Sequence, residues 1–597
     1  MQFLFYPLAL LVTFGLLLGV VYRKPGNINR VFAAYRRPRR LTQTIAFWMA
    51  GIVAVFGFVQ WMRWPYYVEF FTRLSRFQLG HSSVGEILTL VGMTLTMLCE
   101  AIVIIHWMMY LVYCWIGATR YRLPQSPPLS DDPPEVLVLI TCCNEEPFVV
   151  RRSLSTVGQI DYPRARVVLL ENSRDLKLKA QAAQIAAQYG VEVLHVKNRG
   201  HKAGAMNDAL ALLKSSAEYL CILDADQRVA PNILRDLVPL LEADPKAAFV
   251  QTSQLYENCE ETWLSRAAAQ QESLLYDTVL EAKGALGRAL CCGTNFVMRM
   301  SALRDVGGWD ERTMSEDLCT SFLMNRRGWT TLYLRKAYGW GIGPLNLLGY
   351  WKQQRRWASG NTAVAHIVLR DFLKQKPERL PFRMAVGYLW SAGYYITALA
   401  LAVLATLPMI LTAVSFLNTP QLFQPRGDIL RPEWLFLSVY PLYAMIMLFP
   451  YVNMRMRGYP IRNLVMLQGL LAITIPVYLA SALRGFFRRI TEFEIAPKKL
   501  MAGRISFVKA PQTYLMLLLL AAGSVLGSGV VSNPGSAIMW IGLFWTFVYT
   551  LSFGHFFIFA YESYRLLKDR GSEPDAPESE TSAVPATDHV EETSTRN

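Results

Sequence analysis

Three groups of residues in this chain have the types and spacing to do chemistry. The first is Leu223-Asp224-Ala225-Asp226, two carboxylates one residue apart at the end of an apolar run. Alternate residues of a strand share a face, so both acids can aim at one point, and paired oxygens suit a hard divalent cation carrying a diphosphate. The competing reading is a solvated turn, since Asp-x-Asp alone is common. The second is Thr313-Met314-Ser315-Glu316-Asp317, after a Gly307-Gly308-Trp309-Asp310 turn and before the apolar stretch Leu318–Leu323. These acids can simply favour a helix N-terminus, or Asp317 can serve as a general base that takes a proton from an attacking hydroxyl. The third is Gln353-Gln354-Arg355-Arg356-Trp357. It reads as a basic interfacial helix with an aromatic anchor, or as a binding helix in which Arg356 grips pyrophosphate through paired hydrogen bonds and Trp357 offers a flat stacking face.

These groups need elements to position them. Between about 134 and 255, β-rich runs at Val136–Cys142, Arg166–Leu170, Glu192–Val196, Tyr219–Asp224 and Ala247–Thr252 alternate with helical patterns. That alternation predicts a soluble α/β domain with a parallel sheet covered on both faces. Ligands of such sheets bind beyond the carboxyl ends of the strands, where Thr141, Glu171 and Asp224 fall.

The rest of the chain belongs to the bilayer. With 597 residues, 53% of them hydrophobic, and a mean hydropathy of +0.23, it is too apolar for an ordinary soluble enzyme and too polar in its middle to be all membrane. The formal charge of +15 does not argue for nucleic acid, because the Lys and Arg cluster beside apolar spans as cytosolic flanks do. Nine cysteines without metal spacing read as reduced cytosolic thiols. Apolar runs at 3–22, 42–62 and 86–111 are each long enough to cross; the first reads as an anchor rather than a cleaved signal, having no basic segment before it. The basic stretch 23–40 is placed in the cytosol, so three crossings deliver residue 119 to the cytosol. Further runs lie near 387–417, 433–453, 464–483, 512–532 and 537–561. If all five crossed, the Lys- and Arg-rich segment 484–511 would face outside; the run 464–483, interrupted by Gln468 and Pro476 and basic at both ends, is therefore expected to lie at the cytosolic interface. About seven crossings remain. The expected layout is a membrane region 1–118, a cytosolic domain 119–380, a second membrane region 381–565 and a disordered acidic tail 566–597.

Taken in order, Thr141…Asn144-Glu145, Lys202-Ala203-Gly204, Asp224-x-Asp226, Ser315-Glu316-Asp317 and Gln353-x-x-Arg356-Trp357 make the chain resemble the processive family 2 glycosyltransferases, such as cellulose, hyaluronan and chitin synthases. The resemblance covers roughly 85–560. It implies a GT-A-like domain inserted between transmembrane helices, with Asp224 and Asp226 holding Mg²⁺ or Mn²⁺ together with a UDP diphosphate. It further implies Asp317 as catalytic base beside Glu316, and Glu316 and Trp357 at the acceptor. Donor binding falls to Thr141, Glu145, Glu171, Lys202, Asp224, Gln353, Arg356 and Trp357. Phe493-Glu494-Ile495-Ala496-Pro497-Lys498 resembles the gating loop of bacterial cellulose synthase, which puts Phe493, Ile495 and Lys498 over the donor. There are departures: Glu171-Asn172-Ser173 replaces the family's Asp-Asp-Gly, leaving open which acid reads the nucleobase, Ser315 replaces Thr, and Ala496 replaces the gating-loop Thr.

The function implied is an inverting β-glycosyltransferase that polymerises a UDP-sugar, UDP-glucose by the gating-loop likeness, at the cytosolic face of a bacterial inner membrane and passes the polysaccharide outward. Its partners are the donor, the growing glycan, membrane lipids and periplasmic or export proteins, with no nucleic acid. The alternatives are single addition to a lipid acceptor and polymerisation of UDP-N-acetylglucosamine. A transporter or receptor with a degenerate domain is disfavoured by the retained acids at 224, 226 and 317.

Overall fold

A computed structural model describes residues 5–570, apart from 23–27, 35–39, 63, 78–83, 200, 375–379, 419–444, 447, 488–500 and 502–504. The expected gating-loop residues Phe493, Ile495 and Lys498, most of the run 433–453, and the tail from 571 lie outside the described residues.

The central domain is built on an eight-stranded sheet. Its strands are β1 (Val136–Cys142), β2 (Ala165–Glu171), β3 (Glu192–His195), β4 (Tyr219–Asp224), β5 (Arg228–Val229), β6 (Ala247–Tyr256), β7 (Phe296–Arg299) and β8 (Thr330–Gly341). The spatial order is β3-β2-β1-β4-β7-β6-β8-β5. β1 shows why the sequence folds this way: it is an unbroken Val/Leu/Ile run, as a central strand covered on both faces must be. Leu137 and Leu139 enter one apolar core while Val136, Val138 and Ile140 enter the other.

The first four strands in the row are parallel, as the βα alternation predicts. The all-parallel expectation then fails, because β7 runs antiparallel to both β4 and β6. β7 is four residues long and β5 two, too short for their periodicity to stand out in sequence. β8, which pairs parallel with β6 through irregular register, also escaped the sequence reading.

Around the domain stand helices Phe5–Val21, Leu41–Met62, Val84–Arg120, Tyr394–Asn418, Ile461–Phe486, Pro511–Ser532 and Ala537–Arg570. Among the described residues, five stretches are long and apolar enough to cross a membrane, and a sixth candidate is formed by Phe382–Ala392 with Tyr394–Leu404, bent by 61°. The chain is an integral membrane protein. By length and hydropathy Ile461–Phe486 is itself one of the five, running through Gln468 and Pro476 without a break. Yet both its ends rest on the central domain. Arg457, just before it, pairs with Glu281, and at the other end Gly485 packs against the Ser359 backbone and Phe486 against His366, with 5.3 Å between ring centroids.

The same Arg457 belongs to a buried ion cluster that joins the domain to the membrane part. It is 2% exposed and donates to both Glu281 oxygens at 3.1 and 3.0 Å, while Arg335 of β8 pairs with Asp277 at 2.9 Å and with Glu281 at 3.3 Å. Two cations face two anions, so none of the four charges is buried alone.

Candidate active site

Parallel register places the acids. Thr141 of β1 lies beside Asp224 of β4, and Cys142 beside Glu171 of β2, all at the carboxyl ends of their strands. Asp224 Oδ1 accepts from Thr141 Oγ1 at 3.1 Å and from Lys202 Nζ at 2.6 Å. Lys202 also donates to the Gly293 carbonyl at 2.7 Å, which ties the end of β4 to the turn 291–293. Burial opposes the charge on Lys202, but Asp224, Glu316 and Asp317 outweigh it and hold the ammonium above its ordinary range. Asp226 is 4% exposed and accepts from the Ile342 amide at 3.2 Å.

Glu316 and Asp317 open the helix Glu316–Arg326, where the free amides favour them: Asp317 Oδ1 accepts from the Leu318 amide at 2.7 Å. The competing structural reading is therefore true without displacing the chemical one. Burial, with the adjacent Asp317 charge, pushes the Glu316 carboxyl up to about 7, and burial raises Asp317 as well, while Lys202 and Arg356 pull both down. A proton is thus readily held by this pair near neutrality. Gly293 has φ +82°, and a Cβ there would sit 3.0 Å from Asp317 Oδ2. Glycine provides both the left-handed turn and the open approach to the base.

The helix Leu347–Lys374 carries Gln353, Arg356 and Trp357. A Cβ at Gly360 would collide with Ser315 Oγ, so this glycine lets the helix close against the acidic turn, and Ser315 Oγ donates to Asn361 Oδ1 at 2.7 Å. Gln353 Nε2 donates to the Tyr256 hydroxyl at 3.3 Å.

One cleft of about 220 Å³ gathers Thr141, Glu145, Lys202, Asp224, Asp226, Glu316, Asp317, Gln353, Arg356 and Trp357. Glu171 is the exception among the described site expectations. It is wholly buried, with Oε1 accepting from the Ser173 amide at 2.8 Å and Oε2 lying 3.4 Å from His195 Nδ1. The cleft wall there is formed by Asn172, Arg174 and Asn198 instead. A residue at a strand's last position points to one face or the other, and the motif did not say which.

A second cavity of about 410 Å³ runs between the membrane helices, lined among others by Trp107, Trp390, Tyr394, Tyr395, Tyr451 and Tyr478. The two cavities share Gln254, Cys292, Ser315, Asp317 and Trp357. The cleft and the aromatic cavity therefore meet at the candidate base. Gln254, Gln271, Glu272 and Cys292 were missed in sequence; only the neighbouring Cys291-Cys292-Gly293 turn offered a signal, through its glycine.

Asp224 and Asp226 are hard oxygen donors facing one cleft, and the Asp224 side chain is 39% exposed. No third Asp, Glu, His or Cys joins them as a metal cluster among the described residues. The pair fits a divalent cation whose remaining ligands are phosphate oxygens and water, the usual situation for Mg²⁺ on a nucleotide.

The cleft beside the aromatic cavity has the residues of a glycosyltransferase site, and the comparisons agree on a glycosyltransferase. The family model described as glycosyltransferase like family 2 matches residues 133–360, and the cellulose synthase model matches residues 303–436. The chain is a glycosyltransferase, with a family 2 domain over residues 133–360 and a cellulose synthase-like segment over 303–436. It is 28% identical over 283 residues to cellulose synthase 1 of Komagataeibacter xylinus, covering 46% of this chain and 18% of that protein. To cellulose synthase 2 of Novacetimonas hansenii it is 29% identical over 237 residues, or 39% of this chain and 14% of that protein. The chain thus matches less than a fifth of the length of these relatives. Among solved structures, a mannosyltransferase from Pyrobaculum calidifontis in complex with GDP-Man and Mn²⁺ aligns with a TM-score of 0.46 and 16% identity, over 66% of this chain and 100% of that one.

Proposed function

We propose that the protein is a processive, inverting β-glycosyltransferase that polymerises a UDP-sugar, UDP-glucose into a β-glucan, and threads the product through its own membrane tunnel. The observation that carries this reading is that Asp317 and Trp357 line both the cleft and the tunnel. A sugar added at Asp317 then already stands at the tunnel mouth. The cellulose synthase relatives support a β-glucan, and an uncharged glycan suits a tunnel with no Lys or Arg among its described lining residues.

In this mechanism Asp224 and Asp226 would hold Mg²⁺ or Mn²⁺, which supplies charge neutralisation for the departing diphosphate. Arg356 and Lys202 add positive charge along the same cleft. Asp317 takes the proton from the acceptor hydroxyl. The oxygen's electron pair forms a bond to the anomeric carbon from the face opposite the nucleotide, the bond to the diphosphate breaks, and UDP leaves with that bonding pair. Attack from the opposite face converts an α-linked donor into a β-linkage. Trp357 gives the acceptor ring a stacking face. The contacts at both ends of Ile461–Phe486 support that helix lying along the domain, with the domain facing the bacterial cytoplasm.

The test is a donor screen on purified membranes, with sizing of the product and digestion by linkage-specific glycosidases. Long glucan from UDP-glucose supports the proposal; a glycolipid carrying one added sugar, with every donor, contradicts it.

A further inference from the structure

Apart from Asp317, the described lining of the tunnel contains one carboxylate, Glu272. It sits near the end of the helix Trp263–Leu274, directly before a π-helical turn, Leu275–Leu280. Such widened turns interrupt the regular ladder and re-aim neighbouring side chains; here Gln271, Glu272, Leu274, Leu275, Tyr276 and Val279 all reach the tunnel wall. Glu272 is half-buried and lines this cavity, and burial pushes its carboxyl up to about 7.

The Tyr256 hydroxyl, close enough to Glu272 for each to bear on the other's ionisation, accepts from Gln353 Nε2 at 3.3 Å. Tyr256 and Gln353 both line the donor cleft. Glu272 on the tunnel wall and Tyr256 and Gln353 on the cleft wall thus form a polar group apart from the catalytic base. Gln271 beside it is already engaged, its Oε1 accepting from the Tyr350 hydroxyl at 2.6 Å. A carboxyl with spare acceptor positions in a water-poor passage is costly unless something hydrogen-bonds to it. A glycan filling the passage brings a row of hydroxyl donors.

Resting on the polymerase reading, we infer that Glu272 is an acceptor-binding residue: it accepts hydrogen bonds from hydroxyls of a glycan unit already inside the tunnel, and holds the chain end in register for the next addition. Its effect falls on chain retention and not on donor binding.

The experiment uses the full-length protein in membranes with UDP-glucose, comparing wild type, Glu272→Gln and Glu272→Leu. UDP release against donor concentration is measured together with the length distribution of the product. Glu272→Gln preserves shape, so its donor KM stays within about twofold while mean product length falls; Glu272→Leu shortens the product further, by about tenfold, the scale of a lost hydrogen bond. Wild-type product length in both variants overturns the inference, as does a raised donor KM with length unchanged, which would place Glu272 in the donor site. If wild type itself makes only single-addition product, the polymerase reading fails, and this inference with it.

Discussion

The Lys202 ammonium donates to Asp224 Oδ1 at 2.6 Å and to the Gly293 carbonyl at 2.7 Å, and its charge bears on Glu316 and Asp317 as well. One cation thus balances the candidate metal-binding acid and the candidate base. Lys202→Met should raise the proton affinity of both Glu316 and Asp317, because the nearby positive charge that favours their ionised forms is gone. The expected result is a UDP-release rate lowered at neutral pH and partly regained at higher pH. A pH–rate profile of uniform shape, merely scaled down, would contradict this role.

The acid limb of that profile follows from burial. Asp317 must be ionised to accept a proton, and its carboxyl is raised, while Glu316 is pushed up to about 7. A raised carboxyl keeps its proton to higher pH, so activity should be lost as pH falls at a point above the ordinary carboxylate range. Glu316→Gln removes a neighbouring negative charge, lowers the proton affinity of Asp317 and should move the limb to lower pH. Activity that persists unchanged down to the ordinary Asp range would argue against Asp317 as the base.

Asp317→Asn preserves shape but cannot take a proton. UDP release should fall by about 10²–10⁴-fold, with UDP binding retained in a competition measurement. By contrast, Asp224→Asn and Asp226→Asn should weaken nucleotide binding in the presence of Mg²⁺ or Mn²⁺, and a chelator should silence the wild type until either ion is restored. Full activity in the presence of excess chelator would remove the metal from the account.

Arg457 joins two regions far apart in sequence. Arg457→Leu leaves Glu281 and Asp277 buried with one cation for two anions, a change that costs about 3–5 kcal/mol. The variant should lose thermal stability in detergent, measured by intrinsic fluorescence or by residual fold after heating. An unaltered transition would mean that the cluster does not hold the domain to the membrane part.

Much of the site was readable from sequence because the needed residues come in short, ordered groups. Asp-x-Asp at a strand end, an acid pair at a helix start and Gln-x-x-Arg-Trp on a helix face carry their geometry in their spacing, and the structure brings all of them into one cleft. Glu171 misled because the side a terminal strand residue faces depends on the neighbouring loop, where the Ser173 amide captures its carboxylate. The antiparallel β7 is too short to show periodicity, and its direction is set by pairing with β4 and β6. The tunnel was least legible: its wall draws on segments as distant as His106 and Phe553, where each aromatic by itself looks like ordinary membrane packing.

The central claim is that synthesis and passage occupy one continuous space, and narrowing the tunnel away from the cleft tests it. Ala398 lines the tunnel but not the cleft, so Ala398→Trp should leave nucleotide binding intact while product sizing shows polymer arrested at short oligosaccharides. Full-length polymer made by that variant at the wild-type rate would contradict the account.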